Sequence, residues 1–391
     1  MHRFAVPSTT STRDLRIDFM RGLAMTCVIV NHSKLPSLFS WFSYERFWVV
    51  TAAEVFVVLS GIVIGIVYGR KLAKQGWRAV GRGLGQRAAL LYLAFVGVTV
   101  SVIALAALGV DVRSLAAPDG RSPAWFVSPE TMDFAAWRDV LLMRVGPWAF
   151  EIIGLYVWLV AAALPCLFIL RYAGWRPLLA ASWLLYLWYR FDPHPVTLAG
   201  FESVFPILSW QLLFVHGVTI GYHRSALAAF ANRLPPFPRR VAIAAAVGFA
   251  IFAFSNPWAN GPTWLRLPLL SEERFAYLYG HYFGLSQLGA GRLLNLAVAL
   301  PFGIAALKPS VVAQPFARVF VTLGQRSLGA FVLHTYGLLL LAQMKLPQGI
   351  IPATLVQLTF VVALAVLLNA RDIVRDRQRG PVLVPARRMA A

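Results

Sequence analysis

Three features of the sequence predict an all-α polytopic integral membrane protein with about ten transmembrane helices and both termini cytoplasmic. Apolar runs long enough to cross a bilayer recur along the whole chain. Of its 391 residues, 59% are hydrophobic and only 13% charged, and mean hydropathy is +0.66; soluble domains are less apolar and more charged. The third feature is where the charge lies. The net +20 is carried by short segments between apolar runs, which is how membrane topology is encoded, so the basic excess is not read as a nucleic-acid footprint.

Taken in order, residues 1–15, with Pro7 and a Ser/Thr run, read as a polar cytoplasmic tail. Hydropathy then predicts helices over 17–34, 48–68, 88–110, 150–170, 177–191, 204–222, 241–255, 292–307, 327–344 and 351–369. All fall in one membrane domain, 16–370, followed by a basic cytoplasmic tail, 371–391. With the amino terminus inside, about two thirds of the Lys and Arg fall on the inner side, as the positive-inside rule requires. The first apolar run contains Arg21 and no small-residue cleavage site follows it, so that helix is expected to stay in the mature protein. Cys27 and Cys166 lie inside apolar segments and read as small hydrophobes. Of the outer loops 111–149, 192–203 and 256–291, the first carries Trp125 and Trp137 and the last is dense in aromatics, including Trp258, Trp264 and Tyr279. Most suit an interfacial belt, and aromatic platforms also suit the faces of sugar rings. A short helix is expected over 134–143.

Ionisable residues inside apolar helices are costly and ask for a reason. Arg21 and His32 are eleven residues apart in the first helix, which places them on one face roughly 16 Å apart along the axis. His32 falls near the outer end of that helix. Glu54 lies at similar depth in the antiparallel second helix, so a His32–Glu54 pair is expected, with His32 as general base and Glu54 fixing its tautomer. The bland alternatives are a snorkelling Arg21, a His32 bonded to a loop carbonyl and a Glu54 paired with Arg46. Arg16 and Arg21 together could hold anionic groups such as coenzyme phosphates, since guanidinium offers a fixed fork of donors. His334 and Arg326, around the ninth helix, form a second tier, because a mid-membrane histidine faces a cavity or a partner. Gln211 and His216 read as helix-packing hydrogen bonds. No His, Cys or Asp set has metal-ligand spacing, so no metal is expected.

The motifs Asp18-Phe-Met-Arg21-Gly22, Asn31-His32, Glu54-Val-Phe-Val-Val-Leu-Ser-Gly61, Gly146-Pro-Trp148 with Gly154-Leu-Tyr156, Trp210 to Phe214, and Leu323 to His334 stand in order along the chain. Together they resemble the membrane acyltransferase family 3, and more closely its OpgC-type branch, over residues 14 to about 369. The resemblance implies a multi-pass protein of the bacterial inner membrane. Its donor would be acyl-CoA (succinyl-CoA or acetyl-CoA, succinyl favoured) and its acceptor the hydroxyls of a periplasmic glucan or another glycan. Glucan-synthesis proteins are the implied partners, beside the lipid bilayer itself. Covalent acyl-histidine and direct transfer both stay open. The rival reading is a transporter or flippase for a glycan or lipid-linked substrate, since intramembrane charges also mark transport paths. No internal repeat or pair of interrupted helices supports it.

Overall fold

The computed structural model describes residues 14–346 and 348–379, with side chains described to residue 370; every regular element among them is a helix, and none is a strand. In chain order these are α1 (Leu15–His32), α2 (Ala52–Ala107), α3 (Phe134–Leu141), α4 (Glu151–Tyr172), α5 (Trp175–Phe191), α6 (Ile207–Tyr222), α7 (Arg224–Arg233), α8 (Pro236–Phe254), α9 (Glu272–Tyr282), α10 (Ala290–Ala306), α11 (Ala317–Gln325), α12 (Ser327–Gln343) and α13 (Ile350–Arg379), joined by one-turn helices and 3₁₀ turns. The expected tail 1–15 lies outside the described residues up to position 13, and the tail 371–391 does so beyond 379. Helix α13 runs on into the latter as far as Arg379.

Each predicted helix has a counterpart, with one change of connection. The segments expected at 48–68 and 88–110 are the two limbs of α2, because the basic stretch between them is helical rather than a loop. Its Arg, Lys, Leu, Ala and Gln are good helix formers, and only Gly76, at φ +74°, breaks the run. Among the described residues, four helices are long and apolar enough to cross a membrane: Ala52–Ala107, Trp148–Tyr172, Pro236–Phe254 and Ile350–Ala370. Ile207–Tyr222, Ala290–Ala306 and Ser327–Gln343 are shorter apolar helices.

The packing suits a hydrocarbon solvent. Leu184, Leu187, Ile243, Val247, Leu355 and Leu358 face outward, whereas Arg21, Glu54, Arg292 and His334 are buried inside. Apolar surface cannot drive helices together in lipid, so close contact must. On α2, Gly61 lies so near α6 that a Cβ there would meet the Phe214 carbonyl oxygen at 2.4 Å. Gly217 and Gly221 make the reciprocal approach to Val58 and Ile62. Helix α1 is locked to α11 the same way: a Cβ on Gly22 would come within 1.7 Å of the Phe320 oxygen, and one on Gly324 within 1.8 Å of the Asp18 oxygen. Helix α12 continues from α11 past the Arg326 break and so runs beside α1.

Candidate active site

The α1–α12 alignment brings two histidines together. His32 Nδ1 lies 3.1 Å from His334 Nε2, and His334 Nδ1 lies 2.7 Å from the Phe331 carbonyl oxygen one turn earlier on its own helix. A carbonyl oxygen only accepts, so His334 Nδ1 donates to it. In neutral His334 the Nε2 is then an acceptor, and His32 Nδ1–H must be the donor. The chain of bonds leaves the lone pair of His32 on Nε2. The Trp148 ring packs against the His32 ring at 4.5 Å between centroids, and the indole N–H is anchored 2.9 Å from the Ser114 carbonyl oxygen. Both the tautomer and the orientation of His32 are therefore fixed by its neighbours.

His32 lines a chamber of ≈ 510 Å³, together with Asn31, Phe56, Arg121, Trp148, Glu151 and Phe331. That volume falls within the ~300–1,000 Å³ range of small-molecule sites. On the far side of Phe56 and Phe331 is a smaller cavity of ≈ 40 Å³, lined by Arg21, Ser60, Arg87, Tyr156 and Ser327. Arg21 is 7% exposed; its Nη2 donates to Ser327 Oγ at 2.6 Å and its guanidinium lies 5.7 Å from the Phe56 ring centre. Phe56 and Phe331 line both spaces, with their ring centroids 5.4 Å apart. The residues Arg21 and His32 thus serve two compartments on one axis, divided by an aromatic pair.

A family model described as OpgC protein matches residues 13–375, nearly the whole chain. The chain belongs to the OpgC family. Membership, with the apolar helices, makes it a membrane protein and implies a transferase of glucan modification. No curated protein and no solved structure matches the chain. The OpgC match encloses all the residues that the sequence singled out, from Arg16 to His334.

Not all of them meet. The expected His32–Glu54 pair does not form. Glu54, fully buried, accepts from Arg292 Nη1 at 2.7 Å and from Thr51 Oγ1 at 2.9 Å, and it also bonds the Thr51 backbone N–H. It closes a capping box at the start of α2. Arg292 spans to Glu45 Oε1 at 2.7 Å, with the Tyr279 hydroxyl donating to Glu45 Oε2 at 2.8 Å. Nor does Glu54 pair with Arg46, which donates to the Leu265 carbonyl oxygen instead. The position that the sequence reserved for a carboxylate beside His32 is held by His334.

Arg16 and Arg21 do not share a binding surface, since five residues turn a helix by about 140° from the starting direction. Arg16 pairs with Asp14 at 2.8 Å and lines a separate ≈ 790 Å³ cavity with Arg224. Arg326 sits at the α11–α12 break, donates to the Leu368 carbonyl oxygen of α13 and lines neither compartment of the His32–Arg21 axis. Sequence reasoning quoted Trp148 and Ser327 only within motifs, without a role, and passed over the buried pair Arg292 and Glu45. Two local signals were available for the last network. Thr51-x-x-Glu54 reads as a capping box, and Arg292 opens an apolar run and so demands a counter-charge.

Proposed function

We propose that the chain is a membrane O-acyltransferase that moves an acyl group, succinyl in the favoured case, from cytoplasmic acyl-CoA to a glucan hydroxyl outside the inner membrane. In this reading the chain crosses that membrane ten times with both termini inside. The observation that carries it is the His32 Nε2 lone pair, oriented by His334 and presented to a chamber large enough for an acceptor.

The inner compartment has the chemistry of an anion site, with the Arg21 and Arg87 guanidiniums beside the hydroxyls of Ser60, Tyr156 and Ser327. Arg21 and Arg87 hold the donor's phosphates there. The roughly 16 Å between Arg21 and His32 suits a carrier whose anionic end and thioester end are far apart. Phe56 and Phe331 part to admit the carrier arm. His32 Nε2 then takes the proton of a glucan hydroxyl as that oxygen bonds to the thioester carbonyl carbon. The carbon–sulfur bond breaks, and the imidazolium returns the proton to the departing sulfur, so His32 ends neutral. His334 accepts from His32 Nδ1–H throughout and steadies the imidazolium, the part played by the acid in a hydrolase triad.

The test is transfer of label from acyl-CoA to glucan by the purified protein. General-base catalysis contributes about 10²–10⁴-fold, so His32→Ala should lose at least about 10²-fold in kcat while staying folded. Undiminished transfer in a folded His32→Ala variant would remove the base from the mechanism.

A further inference from the structure

One wall of the His32 chamber carries charge that the transfer chemistry leaves unused. Arg121 reaches from the 111–133 loop to the first turn of α4, where its Nη1 donates to Glu151 Oε1 at 3.1 Å and to the Gly200 carbonyl oxygen at 2.9 Å. Its Nε bonds Asp119. Glu151 is 6% exposed, and Asp119, Arg121 and Glu151 all line the same chamber as His32. The Arg121 guanidinium holds the Asp119 carboxyl below the usual carboxylate range, so Asp119 remains an acceptor at any physiological pH. Trp148 and Phe205 add aromatic surface to the lining.

This set selects by chemistry. The Arg121 guanidinium is already engaged by both carboxyl side chains and by the Gly200 carbonyl oxygen, so this wall offers an anionic acceptor little positive charge. An alkyl acceptor could pack on the apolar part of the lining, such as Phe56, Ile152 and Phe331, but would use none of the hydrogen-bonding groups of this wall. A neutral polyol matches instead: carboxylates accept from its hydroxyls, a guanidinium donates to its oxygens, and an indole covers the C–H face of a pyranose ring. We propose that Asp119, Arg121, Glu151 and Trp148 form the acceptor subsite, holding one neutral sugar ring with a hydroxyl turned toward His32 Nε2. The assignment rests on the acyl-transfer reading above.

The test uses the full-length protein and a short gluco-oligosaccharide, with binding followed by saturation-transfer NMR and transfer by steady-state kinetics. Wild type and His32→Ala should both give saturation transfer to the sugar, since the base is not needed for binding. Arg121→Ala and the isosteric Glu151→Gln should raise the acceptor KM about tenfold or more, the loss expected for a charged hydrogen bond, and leave the acyl-CoA KM unchanged. Asp119→Asn, on an exposed side chain, gives the same direction with little risk to folding. Variants that alter only kcat or the acyl-CoA KM would overturn the subsite while leaving acyl transfer intact. Sugar binding that depends on Arg121, in a protein that transfers no acyl group, would uphold the subsite and defeat the transferase reading.

Discussion

His32 has a free basic nitrogen because His334 is committed to its own backbone. The carbonyl of Phe331 fixes the His334 proton, which fixes the His32 proton in turn. In the proposed mechanism His334 is thus a positioning residue, and a merely structural role can be told apart from it. His334→Gln supplies an amide oxygen that can accept from His32 Nδ1–H, whereas His334→Ala supplies nothing. Transfer should fall by about tenfold or more in His334→Ala, be partly restored in His334→Gln, and show a changed pH–rate profile in both, because the imidazolium loses an imidazole partner. Equal loss in the two variants with an unchanged profile would reduce His334 to packing. The sequence pointed to His32 and to a partner at its depth, but it named Glu54. Burial depth says which residues lie at one level and not which way they face. Glu54 turns to Arg292 because its carboxylate must cap α2 and balance a buried guanidinium, and both demands are local facts that outweigh depth.

At the scale of elements, the site depends on how closely α1 approaches α11. Gly22 and Gly324 have no room for a methyl group, and the contact sets the registry of Ser327 to Arg21 and of His334 to His32. Gly324→Ala should destabilise the protein by ~1–3 kcal/mol, the usual range for overpacking, with transfer lost along with thermal stability in detergent. The Phe56–Phe331 pair is the other element-level device. In a background lacking Cys27 and Cys166, Ser327→Cys should resist a membrane-impermeant thiol reagent added from outside and become reactive when Phe331→Ala is added. Labelling without Phe331→Ala would mean that the rings divide nothing. Hydropathy made the long apolar helices legible, because lipid-facing residues must be apolar all along a span. It could not show α11, nine residues long, or the helical path through residues 70–87, where basic residues read as a loop.

Over the whole molecule, polarity is arranged for a bilayer: leucines and valines outward, and histidine, arginine and glutamate within. In the proposed reading, the two compartments on the α1 axis, one lined by Arg21 and Arg87 and one by His32, Arg121 and Glu151, take a donor and an acceptor that meet only at the base. A transporter would carry one substrate through both and leave it chemically unchanged. The deciding measurement is mass spectrometry of periplasmic glucans from cells lacking this chain, complemented with wild type or with His32→Ala. The account expects a dicarboxylic acyl increment on the glucans with wild type and none with His32→Ala at equal membrane abundance. The same increment with both would contradict it.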